Sequence, residues 1–396
     1  MSIADQSLAK RVQGVSQQAI DEGRIVGSVV LIARHGRVIY ANASGYADRE
    51  QKKPMVRETQ FRLSSVSKPY ITLAAMRMIE QQKLGLDDTV SRWLPWFTPA
   101  LADGVRPPIK IRHLLSHTAG LDYRLSQPAE GPYHRLGIKD GMELSSLTLE
   151  QNLRLLAQAD LLAEPGSEFR YSLAIDVLGA VLEQVAGEPL PQVFNHWVAQ
   201  PLGLRNTGFY TTDVDNLATA YHDTAAEPEP IRDGMLLTLP EGFGFEIELA
   251  PSRALDAQAY PSGGAGMVGD ADDVLQLVET LRTGKEGILQ PATAALMRQA
   301  HVGSHAETQG PGWGFGFGGA VLEDAQLAAT PQHNGTLQWG GVYGHSWFYD
   351  PQAAISVVAL TNTAFEGMSG RYPLQIRDAV YGTNEPTRGG HHHHHH

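Results

Sequence analysis

The chain has 396 residues, a hydrophobic share of 42%, a charged share of 19% and a formal net charge of -12. This composition is ordinary for a globular protein and excludes intrinsic disorder, and the acidic balance argues against nucleic acid as a partner. The absence of cysteine excludes disulfides, thiol catalysis and cysteine-ligated zinc. No apolar run approaches the ~20 residues that a membrane helix needs, so no membrane partner is expected. The last eight residues, Gly389 to His396, read as a linker and a hexahistidine tag and are set aside. The remainder exceeds the ~250–300 residues at which one hydrophobic core stops growing, so two lobes are expected.

The opening stretch, Met1 to Gln6, lacks a basic region followed by an apolar core. It reads as no signal peptide, and a cytoplasmic location is expected unless a leader has been removed. Residues 4–22 place Leu8, Val12, Val15 and Ile20 at helical spacing. A β-branched run, Val26 to Ala33, is turned back by His35-Gly36 into Val38-Ile39-Tyr40, a hairpin pattern. The middle, from about Ala74 to Leu255, shows helical patterns broken by Pro and Gly, including a helix from Leu173 to Val185 stopped at Gly187. Between His222 and Arg253 the pattern weakens, and loops with a short hairpin over a cleft are expected. Strand signal returns in Ser346 to Tyr349 and Ala354 to Leu360, joined by a turn at Asp350-Pro351, and a helix from about Pro373 to Tyr381 follows. The expected architecture is therefore one α/β lobe from both chain ends (1–73 and 256–388) with a mainly helical lobe (74–255) inserted. A ligand cleft is expected where the lobes meet.

Three motifs carry chemistry. Ser65-Val66-Ser67-Lys68 is a Ser-x-x-Lys tetrad that opens a helix through Leu73, Met76 and Met78. A serine at a helix start sees the positive end of the dipole, and a lysine one turn on shares its face. A desolvated lysine can help take the proton that makes serine a poor nucleophile. The tetrad alone carries little weight, because Ser7-Leu8-Ala9-Lys10 matches it on a surface-type amphipathic helix. Tyr171, in Glu164 to Ser172, stands where a turn meets a helix. Near a lysine ammonium its phenolate is favoured, which makes it a candidate base, although a lone Tyr more often caps a core. Gln338 to His345 carries the glycines Gly340, Gly341 and Gly344 ahead of a strand, as at a close backbone–ligand approach or a plain bulge.

These motifs, in this order, resemble the serine β-lactamase and penicillin-binding-protein superfamily, and within it the class C-like family VIII carboxylesterases. Ile111 to Leu121, Pro201 to Leu204 and Pro261 to Met267 extend the resemblance, which runs from about Ser7 to Tyr381. It implies a serine β-lactamase-like fold, α/β plus all-α, with an antiparallel sheet flanked by helices. It further implies Ser65 as acylated nucleophile, Lys68 and Tyr171 as the proton-handling pair, and the backbone N–H groups of Ser65 and Val342 as oxyanion hole. Tyr123, Trp339, Gly340 and Gly341 are the implied substrate-binding residues. Two departures stand out: the family's Tyr-x-Asn is Tyr171-Ser172-Leu173 here, and its Lys-Thr-Gly is Trp339-Gly340-Gly341. The second removes the cation that binds a penicillin carboxylate.

The resemblance thus implies hydrolysis of a small-molecule carboxylic ester through an acyl-enzyme, with no cofactor and no metal. Acyl transfer to an alcohol, β-lactamase or D,D-peptidase activity, and a non-catalytic binding module are the competing readings. The oligomeric state is left open. A Gly-x-Ser-x-Gly elbow does not occur. His113 and His117 have zinc-helix spacing, but Leu114 replaces the required Glu. The glycine-rich stretch Gly310 to Gly318 runs into strand-like sequence and offers no helix N-terminus to a phosphate. Asp176, five residues beyond Tyr171, either orients polar groups or pairs a surface base, and stays outside the candidate set.

Overall fold

A computed structural model describes residues 1–383 of the chain; the linker and tag at 389–396 lie outside the described residues. Helix α1 (Ile3–Asp21) is capped by Ser2, whose side chain accepts from the Asp5 N–H. Strands β1 (Gly27–Arg34) and β2 (Arg37–Asp48) form the expected hairpin. His35 and Gly36 both have positive φ, 51° and 80°, as a two-residue turn that matches strand twist requires. After the short β3 (Lys53–Pro54) come α2 (Ser67–Glu80), α3 (Ala174–Ala186) and α4 (Ala271–Thr283). The chain closes with β4 (Trp313–Phe315), β5 (Ala320–Leu322), β6 (Leu337–Gly341), β7 (His345–Asp350), β8 (Ile355–Thr361) and α5 (Arg371–Tyr381).

Among the described residues these strands form one eight-stranded antiparallel sheet in the order β4-β5-β6-β7-β8-β1-β2-β3. The two chain ends meet at its centre, where β1 and β8 pair from Ser28↔Thr361 to Arg34↔Ile355. Both strands are buried on both faces, which is why they read as continuous apolar runs rather than alternating ones. Alternation still decides where each side chain goes. Val30, Ile32, Val357 and Ala359 pack with Leu8, Val12, Tyr372 and Ile376 of α1 and α5. Val29, Leu31, Val358 and Leu360 belong to the larger core on the opposite face, together with α2, α3 and α4.

The middle of the chain holds short helices, and the weakly patterned stretch contains the hairpin Met235–Thr238/Glu246–Leu249. The hairpin rests on the segment around Tyr123 to Met142, with the Phe245 N–H donating to the Leu125 carbonyl at 2.8 Å. Two expectations need correcting. A lobe boundary at 73/74 would cut α2, which is an unbroken buried helix from Ser67 to Met78. The serine tetrad also does not open this helix directly. Ser65 lies in a preceding 3₁₀ turn, Ser64–Val66, and no side chain caps α2.

Candidate active site

The turn that carries Ser65 is built by a short strand and a strained residue. Phe61–Arg62 pairs with Val268–Gly269, and the chain then bends at Ser64 with φ 45°. A non-glycine residue in that region costs roughly 1–2 kcal/mol. The bend is braced from β6, where Gly341 comes so close that a Cβ there would lie 2.5 Å from Ser64 Oγ and 2.7 Å from the Leu63 carbonyl. Only glycine admits this approach. It sets Val342, buried just past β6, beside the turn that carries Ser65. Among the described residues, neither the Ser65 nor the Val342 N–H donates to an acceptor in the chain.

Lys68 lies in the first turn of α2 and reaches back to Ser65, its Nζ donating to Ser65 Oγ at 2.9 Å and to the Gly264 carbonyl at 2.8 Å. Tyr171 arrives from another part of the chain. The Arg170 N–H donates to the His117 carbonyl at 2.8 Å and the Leu173 N–H to the Asp122 carbonyl at 3.2 Å. Laid out by these bonds, the segment points Tyr171 Oη at Ser65 Oγ, 2.5 Å away. The indole of Trp339 on β6 donates to the same phenol oxygen at 3.2 Å. Ser65 Oγ thus touches both an amine and a phenol, and all of these groups are buried.

Burial dominates the electrostatics. It pushes the Lys68 amine down to about 7, opposed by the charge of Asp176 and then of Asp140. It pushes the Tyr171 phenol above its ordinary value, against hydrogen bonds from Ser65, Trp339 and Tyr123 that favour the phenolate. Desolvation penalises the phenolate more than these neighbours stabilise it. Neutral lysine beside neutral tyrosine is the accessible resting pair near neutrality.

The remaining candidates fall around this centre with one exception. The Tyr123 ring stands 5.3 Å from that of Tyr171 and 5.2 Å from Lys68 Nζ. Trp339 packs its ring 5.2 Å from Tyr171. Gly340 alternates to the other face of the sheet, opposite Ser346, so of the glycine pair it is Gly341 that adjoins the turn carrying Ser65. The sequence reading passed over three contributors. His117 lies 4.9 Å from the Tyr171 ring, and Phe315 of β4 contacts His117 and Trp339 at 5.4 Å each. Gly264 supplies the carbonyl that holds Lys68. His117 and Gly264 stood inside stretches quoted for the resemblance, whereas Phe315 carries no signal separating it from any core aromatic. His113 serves its own helix, its Nδ1 accepting from the Lys110 N–H at 3.0 Å.

A buried serine bonded to an amine and a phenol, next to two N–H donors, is equipped for acyl transfer through a covalent intermediate. Comparison with known proteins agrees. The chain is 52% identical over 375 residues to Esterase EstB of Burkholderia gladioli, covering 95% of each. It is 26% identical over 369 residues to Lovastatin esterase of Penicillium rubens, covering 84% of this chain and 88% of that one. Among solved structures, the LovD6 mutant of simvastatin synthase (LovD) from Aspergillus terreus superposes with a TM-score of 0.76 over 95% of both chains, at 22% identity, a likeness of fold. With a match to the Beta-lactamase family across residues 9–380 as well, the chain belongs to that family.

Proposed function

We propose that this protein is a serine carboxylesterase of the β-lactamase-like family VIII type, acting on small, neutral carboxylic esters. The observation that carries the reading is the double contact of Ser65 Oγ, 2.9 Å from Lys68 Nζ and 2.5 Å from Tyr171 Oη. Neutral Lys68 accepts the Ser65 proton as Oγ attacks the ester carbonyl. The N–H groups of Ser65 and Val342 receive the developing oxyanion, a contribution of roughly 3–4 kcal/mol each. Tyr171, in contact with Ser65 Oγ and near the Lys68 ammonium, hands its proton to the departing alkoxide and is reprotonated from Lys68. The alcohol leaves and the acyl group remains on Ser65. A water then gives its proton to the same pair, attacks the acyl carbonyl, and releases the acid with Ser65 restored.

The walls support the substrate class. Where the family holds a cation for a β-lactam carboxylate, this chain has Trp339, and Tyr123, His117 and Phe315 pack their rings around Tyr171 and Trp339. Losing one charge-assisted contact costs roughly 1.5–3 kcal/mol, which neutral esters do not feel. The 52% identity to an esterase supports the same choice. We further propose that the site joins two lobes, an α/β lobe from both chain ends and a mainly helical one between, with the first boundary after α2. The test sets a p-nitrophenyl butyrate assay beside a chromogenic cephalosporin. A kcat/KM ratio of at least ~100 in favour of the ester is expected, with a serine-directed phosphonate adding its mass to Ser65. Equal efficiency on both substrates would return the protein to the lactamases.

A further inference from the structure

Asp176 has no place in the mechanism just described, yet it is a carboxylate 1% exposed in the first turn of α3. Both of its oxygens are engaged by one loop. Ser262 Oγ donates to Oδ1 at 2.8 Å and lies 3.0 Å from Oδ2, and the Gly264 N–H donates to Oδ1 at 2.7 Å. The opposite side of the same peptide unit pair, the Gly264 carbonyl, accepts from Lys68 Nζ at 2.8 Å. A Cβ on Gly264 would lie 3.0 Å from Asp176 Oδ1 and 3.6 Å from Lys68 Nζ. One glycine thus separates the carboxylate from the amine. Further along the loop, the Met267 N–H donates to Ser67 Oγ at 3.0 Å, so the segment is pinned to α3 at one end and to α2 at the other.

We propose that Asp176 is a positioning residue for ester cleavage: its buried carboxylate fixes the Ser262–Gly264 backbone that holds Lys68 against Ser65, and its charge tunes that lysine. This rests on the esterase reading above. The groups facing Lys68 are Asp176, Asp140, Tyr171 and Tyr123. Asp140 is buried beside Glu143, and burial and that neighbour push its carboxyl well above the ordinary range. Tyr171 and Tyr123 are also pushed up and stay neutral. Asp176 is held up to about 6 by burial, countered by Gly264, Ser262, Lys68 and Arg253, and Tyr260 also feels its charge. Of the two carboxylates, Asp176 acts more strongly on the Lys68 amine and is the one tied to the glycine that holds it.

Two substitutions separate the scaffold from the charge. In Asp176→Asn the amide oxygen can still accept from the Gly264 N–H while the amide nitrogen donates to Ser262 Oγ, so the loop keeps its hold and only the charge goes. Without that charge Lys68 loses its proton more readily. The acidic midpoint of the kcat/KM profile for p-nitrophenyl butyrate should then move down by at least about half a pH unit, with KM near the parent value. In Asp176→Ala the grip is lost as well, and kcat should fall by roughly tenfold or more with a smaller change in KM. A purely structural role would lower activity equally at every pH and leave the midpoint in place. An Asp176→Asn profile that superimposes on the parent's overturns the proposal, and that variant decides the matter even if Asp176→Ala fails to fold. Ser65→Ala, assayed alongside, keeps the two readings apart. Turnover surviving in Ser65→Ala sinks the esterase reading and this inference with it, whereas its loss together with an unmoved Asp176→Asn midpoint sinks this inference alone.

Discussion

Ser7 and Ser65 carry the same Ser-x-x-Lys spacing, and burial separates them. Ser7 and Lys10 are exposed on α1, whereas Ser65 and Lys68 are buried between the sheet and the helices. Ser65→Ala is expected to abolish ester turnover and leave the fold intact, because Ser65 caps no helix; Ser7→Ala should be silent. Thermal melts and p-nitrophenyl ester assays on the two variants check both halves. Tyr171→Phe removes one hydroxyl from the relay, and turnover should fall by at least ~100-fold with substrate binding retained. The pH profile follows from the direction of the two shifts. Lys68 is pushed down to about 7, so the base-competent neutral amine grows as pH rises through that value, and kcat/KM should rise with it. Tyr171 is pushed up from an ordinary value of 10.0, so its proton is still present well above neutrality and no alkaline fall is expected below about pH 10. A stopped assay from pH 5 to 10 would read both limbs; a fall setting in near pH 8 would contradict the assignment.

At the scale of elements, the site depends on β6 touching the Ser64–Val66 turn. Gly341→Ala would place a methyl against Ser64 Oγ and the Leu63 carbonyl, atoms of a turn already bent to positive φ. Neither neighbour can yield without moving Ser65 or Val342, so kcat/KM should fall by at least about tenfold while the melting temperature drops. Gly340→Ala offers the contrast, since that residue alternates to the other face, and its effect on kcat/KM should be much smaller. Element type was legible where periodicity was strong: α1, β1, the α3 stop at Gly187 and the β7–β8 pair fall within a few residues of their expected bounds, whereas β2 runs eight residues past Tyr40, to Asp48. The 3₁₀ turn under Ser65 was not legible. Its geometry comes from Ser64 being held by β6 and the turn after it, nearly 280 residues later in the chain, through contacts such as the Tyr343 N–H to Ser64 Oγ at 3.4 Å.

For the molecule as a whole, the two faces of the sheet divide the work. One face carries the site and the larger core; the other is closed by α1 and α5, the two ends of the described chain. They are stitched together by Tyr372, whose Oη lies 2.8 Å from Ser16 Oγ on α1 and 2.6 Å from Ser28 Oγ on β1. Tyr372→Phe would leave two buried serine hydroxyls short of a partner and should cost about 1–3 kcal/mol of stability. Because this face is turned away from Ser65, kcat/KM at 25 °C should be unchanged. A denaturant melt paired with an ester assay tests the separation, and loss of activity in a still-folded variant would show that the faces are coupled.

The sequence by itself determined the strands at both ends, the order of the three motifs and the replacement of a cation by Trp339. Each is a local pattern or a residue identity, and needs no knowledge of what lies across the fold. Tertiary structure alone decided how those residues are charged. Lys68, Tyr171 and Asp176 are shifted mainly by desolvation, a property of the whole packed interior that no spacing encodes. It also decided that Asp176, five positions past Tyr171, turns inward to a loop near residue 264 rather than outward to a surface base. Helical spacing puts a residue on a face; only the packing of α3 against α2 and the 261–267 loop made that face the inside.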